Sequence, residues 1–220
     1  LFNGEIDSFQ GFSPSSSVDF EGRILDDYTF MRRGNVESDP SLKQPIAYSI
    51  ITNPSEQKVF AYQRASSDKN YREKRLQGKY SWGIGGHIQK SDCKVKNPIR
   101  SSMLRETEEE VNLDGYLHTK LLGYINDDSD SVGSVHFGIL YTAETNSKIV
   151  SPKDPEIDNG CLMSIGQLDK ICSSNDCSVE SWSKIALGAL KENLKILSNK
   201  GLVRIKSGFT PCRMNESNEF

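Results

Sequence analysis

The order of elements along the chain predicts an α/β (α+β) protein, with a mixed β-sheet sandwiched between helices. Short runs rich in β-branched and aromatic residues occur before and after one strongly marked helix, and an amphipathic stretch follows them. The 220 residues suit one domain with extensions, because about 150 residues per domain is usual.

A β-hairpin is the first predicted part of the sheet. Residues 47–52 are β-rich, and residues 58–64 alternate between apolar and polar types. Asn53-Pro54-Ser55-Glu56 lies between them, and its Asn and Pro favour a turn. Further strands are predicted over residues 80–88, 117–125, 136–143 and 161–165, with helices from residue 165 and over residues 179–197.

The main domain is predicted to span residues 43–198. Residues 1–42 are polar, and we expect them to pack on that domain as an N-terminal extension, which also makes them a candidate dimerisation arm of a homodimer. Residues 199–220 are predicted to form a polar tail. The residues that would anchor the extension are Phe20, Ile24, Tyr28 and Phe30.

Composition narrows the functional class. The chain is 35% hydrophobic and 26% charged, as expected of a soluble globular protein. A net charge of −3 argues against a general nucleic-acid binder but permits a nucleotide substrate, since a bound metal supplies positive charge locally. No run approaches the ~20 apolar residues of a membrane span. The five cysteines form no CxxC and predict reduced thiols in a cytoplasmic protein, with a Cys172–Cys177 disulfide as the alternative.

The clearest predicted helix begins at Pro98 and ends near Val111. Asn97 precedes it as an N-cap, and a first-turn proline lacks only an N–H that would have no helical partner. One flank of this helix carries carboxylates at i, i+3 and i+4 spacing, namely Glu106, Glu109 and Glu110. The neighbouring stripe, which could pack against the sheet, consists of Ile99, Met103, Thr107 and Val111.

Two interpretations of the carboxylate flank are open. The flank can be a solvated acidic face in which Arg105 pairs with Glu109 one turn away. It can instead be a metal site, because like charges this close raise one another's proton affinity unless a cation compensates. Oxygen ligands suit a hard cation such as Mg²⁺ or Mn²⁺, and the position of the flank beside the apolar stripe favours this second interpretation.

The residues around this helix resemble the Nudix box. Gly85-Gly86-His87 precedes the helix, and Arg105-Glu106-Thr107-Glu108-Glu109-Glu110 retains the Arg-Glu-x-x-Glu-Glu core. Asp92 stands where the box has its first Glu, and twelve residues separate it from Arg105 where the box has seven. Thr107 takes an apolar position of the box, and Asn112 replaces its closing Gly.

A MutT-like branch of predicted phosphoesterases is more similar still. The similar segments are Lys79 to Ile88, an extended box loop, Ile125-Asn126-Asp127-Asp128 and a strand that contains His136. The resemblance covers about residues 44 to 195. It implies the Nudix fold and the hydrolysis of a nucleoside diphosphate linked to another moiety.

The resemblance also implies roles for the box residues. Glu106, Glu109 and Glu110 would bind Mg²⁺ (or Mn²⁺), with the Gly86 carbonyl as a further oxygen ligand. Arg105 would orient the carboxylates by hydrogen bonding, which makes these residues the implied catalytic set.

Candidates outside the box are weaker. Arg64, Arg75 and His87 are candidate substrate-binding residues, since a strand-end arginine and a basic loop precede the box. Ordinary surface charge, or a histidine that fixes a loop, is the alternative for each. Four acidic residues of later loops are candidate general bases, each more often plain loop charge: Asp127, Asp128, Glu156 and Asp158.

Three hypotheses follow. The first is a metal-dependent pyrophosphohydrolase with a small nucleotide-type diphosphate substrate. The second is a Nudix-fold nucleotide-binding or regulatory module without catalysis, which the box insertion and Asp92 keep open. The third is an isomerase of an isoprenyl diphosphate, which needs a site cysteine that Cys93 does not match in setting.

Overall fold

The computed structural model describes residues 1–2, 8–65 and 76–207, and its side chains are described as far as residue 198. The strands are Gly11–Pro14 (β1), Gln44–Asn53 (β2), Lys58–Arg64 (β3), Tyr80–Ser81 (β4), Ile84–His87 (β5), Val111–Leu113 (β6), His118–Asn126 (β7), His136–Glu144 (β8), Val150–Pro152 (β9) and Ile157–Ser164 (β10). The α-helices are Phe20–Asp26 (α1), Arg33–Val36 (α2), Pro98–Glu110 (α3), Ile165–Ser173 (α4) and Ser181–Ser207 (α5).

The sheet is mixed, as predicted. Its strand order is β1-β7-β8-β2-β3-β10, with β5 paired to β2 and β4 paired to β3. β2 and β8 run parallel, and the other pairs are antiparallel. The predicted hairpin of β2 and β3 is confirmed, with Thr52 opposite Val59. Because the first half of β2 pairs with β5 and its end pairs with β3, the glycine-rich strand β5 enters the middle of the sheet.

Helices cover both faces of the sheet, which confirms the predicted sandwich. Alternate residues of β2 face opposite ways, as strand geometry requires. Ile50 lies in a core cluster with Leu190 of α5, whereas Ala47 lies in a cluster with Ile99 of α3 and Phe20 of α1. The box helix therefore has one face fixed by apolar packing, and its carboxylate flank lies at the edge of that contact.

The first 42 residues contribute to both the sheet and the core. β1 extends the sheet edge by pairing with β7. Phe20 and Ile24 of α1 are buried in the α3-side core, whereas Tyr28 and Phe30 are exposed. Tyr28 and Phe30 instead contact each other edge to face, with ring centroids 5.7 Å apart.

The later helices begin close to their predicted starts. The short helix predicted from residue 165 is α4, and Ser164 caps it by accepting a hydrogen bond from the Gln167 N–H. The helix predicted over residues 179–197 is α5, and its backbone continues to Ser207, inside the predicted tail. Residues 208–220 lie outside the described residues.

The described part of the chain shows the state of four cysteines and the length and apolar character of the helices. The thiols of Cys93, Cys161, Cys172 and Cys177 are free, so a Cys172–Cys177 disulfide is not formed. Among the described helices, none combines the length and the apolar character needed to cross a membrane.

Candidate active site

α3 is held in place by the residues predicted to start and to bury it. Asn97 accepts a hydrogen bond from the Arg100 N–H at 3.0 Å, and Pro98 occupies the first turn. Ile99 and Met103 are each only 1% exposed. The predicted cap and the predicted apolar stripe are both confirmed.

Thr107 explains how a polar residue takes an apolar position of the box. Its hydroxyl donates to the Met103 carbonyl at 2.8 Å and lies 3.2 Å from the Ser49 hydroxyl on β2. A buried hydroxyl with partners avoids the cost of an unpaired polar group. The substitution therefore keeps α3 packed on the sheet.

Arg105 joins several carboxylates at the carboxylate flank. Its Nη1 donates to Glu106 at 2.7 Å and to Glu109 at 3.2 Å. Its Nε and Nη2 each donate to Asp92 at 3.0 Å, and Nη2 also donates to the His87 carbonyl at 3.2 Å. Arg105 therefore orients the box carboxylates, and it ties α3 to the loop that follows β5.

Asp92 reaches Arg105 because the extended box loop folds into a 3-10 turn over Lys90–Lys94. Its side chain is 3% exposed and accepts from the Gln89 N–H at 2.8 Å as well as from Arg105. Burial alone would raise the pKa of this carboxyl, but the hydrogen bonds from Arg105 and Gln89 outweigh burial and lower it. The longer loop thus supplies an ionised carboxylate that holds Arg105.

Gly86 lies directly against Glu106. A Cβ atom at residue 86 would lie 2.3 Å from Oε1 and 2.7 Å from Oε2 of that side chain. β5 places Gly86 opposite Ala47 in the sheet, so the backbone has no room to retreat. Only a glycine at this position lets the backbone approach the carboxylate so closely.

Glu110 is the most unusual carboxylate of the site. Its Oε2 is buried without a hydrogen-bond partner, and burial raises the pKa of this carboxyl to about 8, although the Arg64 charge opposes the shift. Burial also raises the pKa of Glu106. A buried carboxylate next to like charges is stabilised in its ionised form by a cation, so the donor set fits a hard divalent metal.

The side chains do not stand in a preformed metal cluster. No group of three His, Cys, Asp or Glu side chains within the described residues is arranged to hold a metal. Arg105 draws Glu106 and Glu109 toward its own guanidinium, whereas Glu110 is not hydrogen-bonded to it. Metal binding would therefore require Glu106 and Glu109 to turn from Arg105.

Arg64 is the last residue of β3, and its charge opposes the rise in the pKa of Glu110. Its Nε donates to Glu180 at 2.9 Å, and its guanidinium lies 5.1 Å from the centre of the Tyr62 ring. Glu180 was not predicted, because nothing in the sequence connects two residues 116 positions apart. Arg75 lies outside the described residues.

His87 makes its side-chain contact away from the carboxylates. Its Nε2 lies 3.1 Å from Nε2 of His136, whose Nδ1 lies 2.6 Å from the Val132 carbonyl. Burial, and then the nearby Arg33 charge, lowers the pKa of His87 to about 4, so the ring is neutral at pH 7. The contact of His87 is therefore that of the loop-fixing alternative, and its role in substrate binding stays a prediction.

The candidate general bases fall into two groups. Asp127 and Asp128 are tied into their own loop, where Asp127 accepts from the Ser129 N–H at 3.2 Å and Asp128 pairs with Lys43. Glu156 lies beside the end of β3, because its carbonyl accepts from the Ala65 N–H at 2.9 Å. Asp158 stands opposite Gln63 in the β3–β10 ladder.

The loop after β9 caps the C-terminal end of α3, which the sequence did not predict. The N–H groups of Lys153 and Asp154 donate to the Glu110 carbonyl at 2.8 and 3.2 Å. Lys153 Nζ donates to the Glu108 carbonyl at 2.7 Å, which places a cation at the negative end of the helix. These contacts hold the last turn of α3, where Glu109 and Glu110 lie.

The chain is similar to known proteins in sequence and in structure. The chain is 34% identical over 198 residues to Protein YmaB of Bacillus subtilis (strain 168), and the match spans 87% of this chain and 93% of that protein. The crystal structure of Tm1382, assigned to the Nudix hydrolases, is 26% identical with a TM-score of 0.66, covering 90% of this chain and 93% of that one. No protein-family model matches the chain.

A more distant structure shares the fold alone. The Nudix domain of Shewanella oneidensis NrtR, solved in complex with ADP ribose, is 13% identical with a TM-score of 0.53. The match covers 79% of this chain and 98% of that domain.

Proposed function

The chain belongs to the Nudix superfamily, and on that premise we propose that it is a divalent-metal-dependent hydrolase. The proposed substrate is a nucleoside diphosphate linked to another moiety, and water cleaves its pyrophosphate bond. The observation that carries the proposal is the buried Glu110 carboxylate, whose Oε2 has no hydrogen-bond partner and which lies one residue from the Arg105-held Glu109. A carboxylate buried in this way is costly unless a cation joins it.

The proposed metal ligands are those that the box implies. Glu106, Glu109 and Glu110 would hold Mg²⁺ or Mn²⁺ together with the Gly86 carbonyl, and the contact between Gly86 and Glu106 supports this set. When bound, the metal screens the phosphate charge and lowers the pKa of a water molecule, which makes that water a nucleophile at neutral pH.

The protein residues position these ligands and the substrate. Arg105 orients the carboxylates, since it donates to Glu106 and Glu109 from one nitrogen. Arg64 and Arg75 are the proposed phosphate-binding cations, because arginine matches phosphate oxygens in pairs. His87 is neutral and would contact the substrate only by turning from His136.

Asp92 weakens the alternative of a binding module without catalysis. That alternative depended on Asp92 and the box insertion as signs of a degraded box. The insertion instead folds so that Asp92 makes two hydrogen bonds with Arg105, each 3.0 Å long. The loop therefore holds Arg105 in place, and this favours a protein that has kept its catalytic activity.

The test is a substrate panel with purified protein and Mg²⁺ or Mn²⁺. The panel contains ADP-ribose, nucleoside triphosphates, NADH, dinucleoside polyphosphates and capped RNA, and the released phosphate or nucleotide is measured. We expect turnover of at least one compound, its loss on chelation, and its loss in Glu109→Gln. Glu108→Gln is the matched control, since Glu108 is an exposed neighbour on the same helix.

Two results would count against the proposal. Turnover that Glu109→Gln leaves intact would remove the site assignment. Ligand binding without turnover across the whole panel would instead favour the binding module.

A further inference from the structure

The pair formed by Arg64 and Glu180 lies beside the candidate site and belongs to no part of the box. Both side chains are largely buried, at 14% and 8% exposure. Burying two charges is costly, and apolar residues of the same size often stabilise a fold as well or better. A buried ion pair beside the proposed metal site therefore calls for a role besides stability.

Arg64 is fixed by its backbone before its side chain is considered. Its N–H donates to the Lys79 carbonyl at 2.9 Å, and its carbonyl accepts from the Gly78 N–H at 3.0 Å. On the other side, the residue pairs with Ile157 of β10. The backbone at Arg64 is thus held on both sides, and only the long side chain needs further contacts to fix its direction.

Glu180 holds the guanidinium end of the Arg64 side chain. One oxygen accepts from Arg64 Nε at 2.9 Å, and the other accepts from the Ser81 hydroxyl at 3.0 Å. Glu180 immediately precedes α5, and its carbonyl accepts from the Lys184 N–H at 3.1 Å. An anchored Nε sets the plane of the guanidinium and so the direction of its two terminal nitrogens.

The backbone places the end of β3 near the end of α3. The N–H groups of Lys153 and Asp154 donate to the Glu110 carbonyl at 2.8 and 3.2 Å. The same segment leads into β10, where Ile157 pairs with Arg64. The phosphate groups of a bound diphosphate would lie next to the proposed metal ligands, and a cation at this position would lie beside them. Arginine binds such oxygens in pairs only when the plane of its guanidinium is set.

We propose that Glu180 is a positioning residue, which sets the Arg64 guanidinium to bind a phosphate group of the diphosphate substrate. The inference rests on the proposed hydrolase function. Glu180 acts through Arg64 and touches neither the substrate nor the metal. A purely structural pair would tie α5 to the sheet with no effect on phosphate affinity.

The test is a double-mutant cycle on KM for the panel compound that turns over. Glu180→Gln is expected to raise KM by about 10-fold, since a charge-assisted hydrogen bond is lost, with kcat within about 2-fold. In the Arg64→Ala background the same change is expected to have no effect on KM. An effect of Glu180→Gln that persists in that background would overturn the proposal.

Glu56→Gln is the matched control. Glu56 pairs with Lys58 at 2.7 Å at the opposite end of β3, so the control removes one carboxylate paired with a cation of the same strand. Its KM is expected to equal that of the wild type. An equal rise in KM for both variants would show a general loss of surface charge and overturn the proposal.

Two further measurements separate this proposal from the hydrolase function. Calorimetric titration with magnesium pyrophosphate reports phosphate affinity without turnover, and Glu180→Gln should weaken it by about 10-fold. If the wild type turns over a substrate and Glu180→Gln binds pyrophosphate normally, only the positioning role fails. If the wild type neither turns over any compound nor binds pyrophosphate, both proposals fail.

Ser81→Ala covers the case in which Glu180→Gln does not fold. It removes the neutral hydrogen bond to the second Glu180 oxygen and keeps the charge. We expect a rise of about 3-fold in KM, as for the loss of one neutral hydrogen bond. An unchanged KM in a folded Ser81→Ala variant would overturn the proposal.

Discussion

Two arginine clusters lie near the box helix, and their charges balance differently. Arg105 donates hydrogen bonds to three carboxylates, of which two lie on α3. Arg64 pairs with Glu180, whose second oxygen accepts from the Ser81 hydroxyl. The first cluster carries surplus negative charge, since three carboxylates against one guanidinium leave two uncompensated. The described contacts of the second cluster include an ion pair between one cation and one anion, and a neutral donor to that anion.

The difference in charge suggests different roles for the Arg105 cluster and the Arg64 pair. Surplus negative charge at the end of α3 is unfavourable in the protein alone and becomes favourable when a divalent cation binds. The Arg64 pair already joins a cation to an anion, so we expect its geometry to change less than that of the Arg105 cluster when metal binds. We therefore expect changes in the Arg105 cluster to affect metal binding and catalysis, and changes in the Arg64 pair to affect phosphate affinity.

The largest expected effect is on turnover. Glu106→Gln should lower kcat by roughly 1000-fold, because a metal-ligand contact that stabilises transition-state charge is worth several kcal/mol. The measurement is kcat with saturating Mg²⁺ on the active panel compound. Glu108→Gln, on the exposed side of α3, should leave kcat unchanged. A loss of less than about 10-fold in Glu106→Gln would make the surplus charge a solvated helix face instead.

The next effect concerns metal affinity. Asp92→Asn removes the charge that holds Nε and Nη2 of Arg105, so Arg105 would be free to bind Glu106 and Glu109 more tightly. Support of this kind is typically worth 10–100-fold in metal affinity, and we expect roughly that loss. Titration of activity with Mn²⁺ measures it.

Asp169→Asn is the control for this change. Asp169 pairs with Lys191 between α4 and α5, on the other face of the sheet. Its Mn²⁺ titration should match the wild type. A normal Mn²⁺ affinity in Asp92→Asn would mean that the inserted turn over Lys90–Lys94 serves the loop and not the metal.

Local patterns predicted the part of the Arg105 cluster that lies on α3. The cap at Asn97, the apolar stripe through Met103 and the flank with Glu109 all follow from helix periodicity, which depends only on residues within a few turns. The pairing of β2 with β3 was equally readable, because a turn sequence joins the two strands. Such features were predictable because their partners are neighbours in sequence.

Contacts between distant segments were not predictable in this way. Glu180 reaches Arg64 across 116 positions, and Lys153 reaches the Glu108 carbonyl across 45. No periodicity or spacing connects such partners, since only the folded sheet brings them together. Asp92 was matched to the first Glu of the box from its spacing, but its contact with Arg105 depends on the folded 3-10 turn.

The last expected effect is on the stability of the metal-free protein, and it concerns Glu110. Burial raises the pKa of this carboxyl from its ordinary value of 4.5 to about 8 in the folded state. Between these two values the folded protein holds a proton that the unfolded chain has released. The free energy of unfolding therefore falls as the pH rises through this window. Glu110→Gln lacks this titration and should not show the fall.

Thermal unfolding at pH 5 and pH 8 measures the difference. Without metal, Glu110→Gln should gain roughly 10 °C in Tm over the wild type at pH 8, because a pKa raised from 4.5 to about 8 costs the wild type roughly 4 kcal/mol there and each kcal/mol is worth about 2–4 °C in a chain of this size. At pH 5 the two should nearly coincide. Saturating Mg²⁺ should then raise the Tm of the wild type at pH 8 and not that of the variant, because a ligand stabilises only the state that binds it. A Tm gap that is equal at both pH values would mean that Glu110 is ionised in the folded protein throughout, and that the Arg64 charge compensates it without a metal.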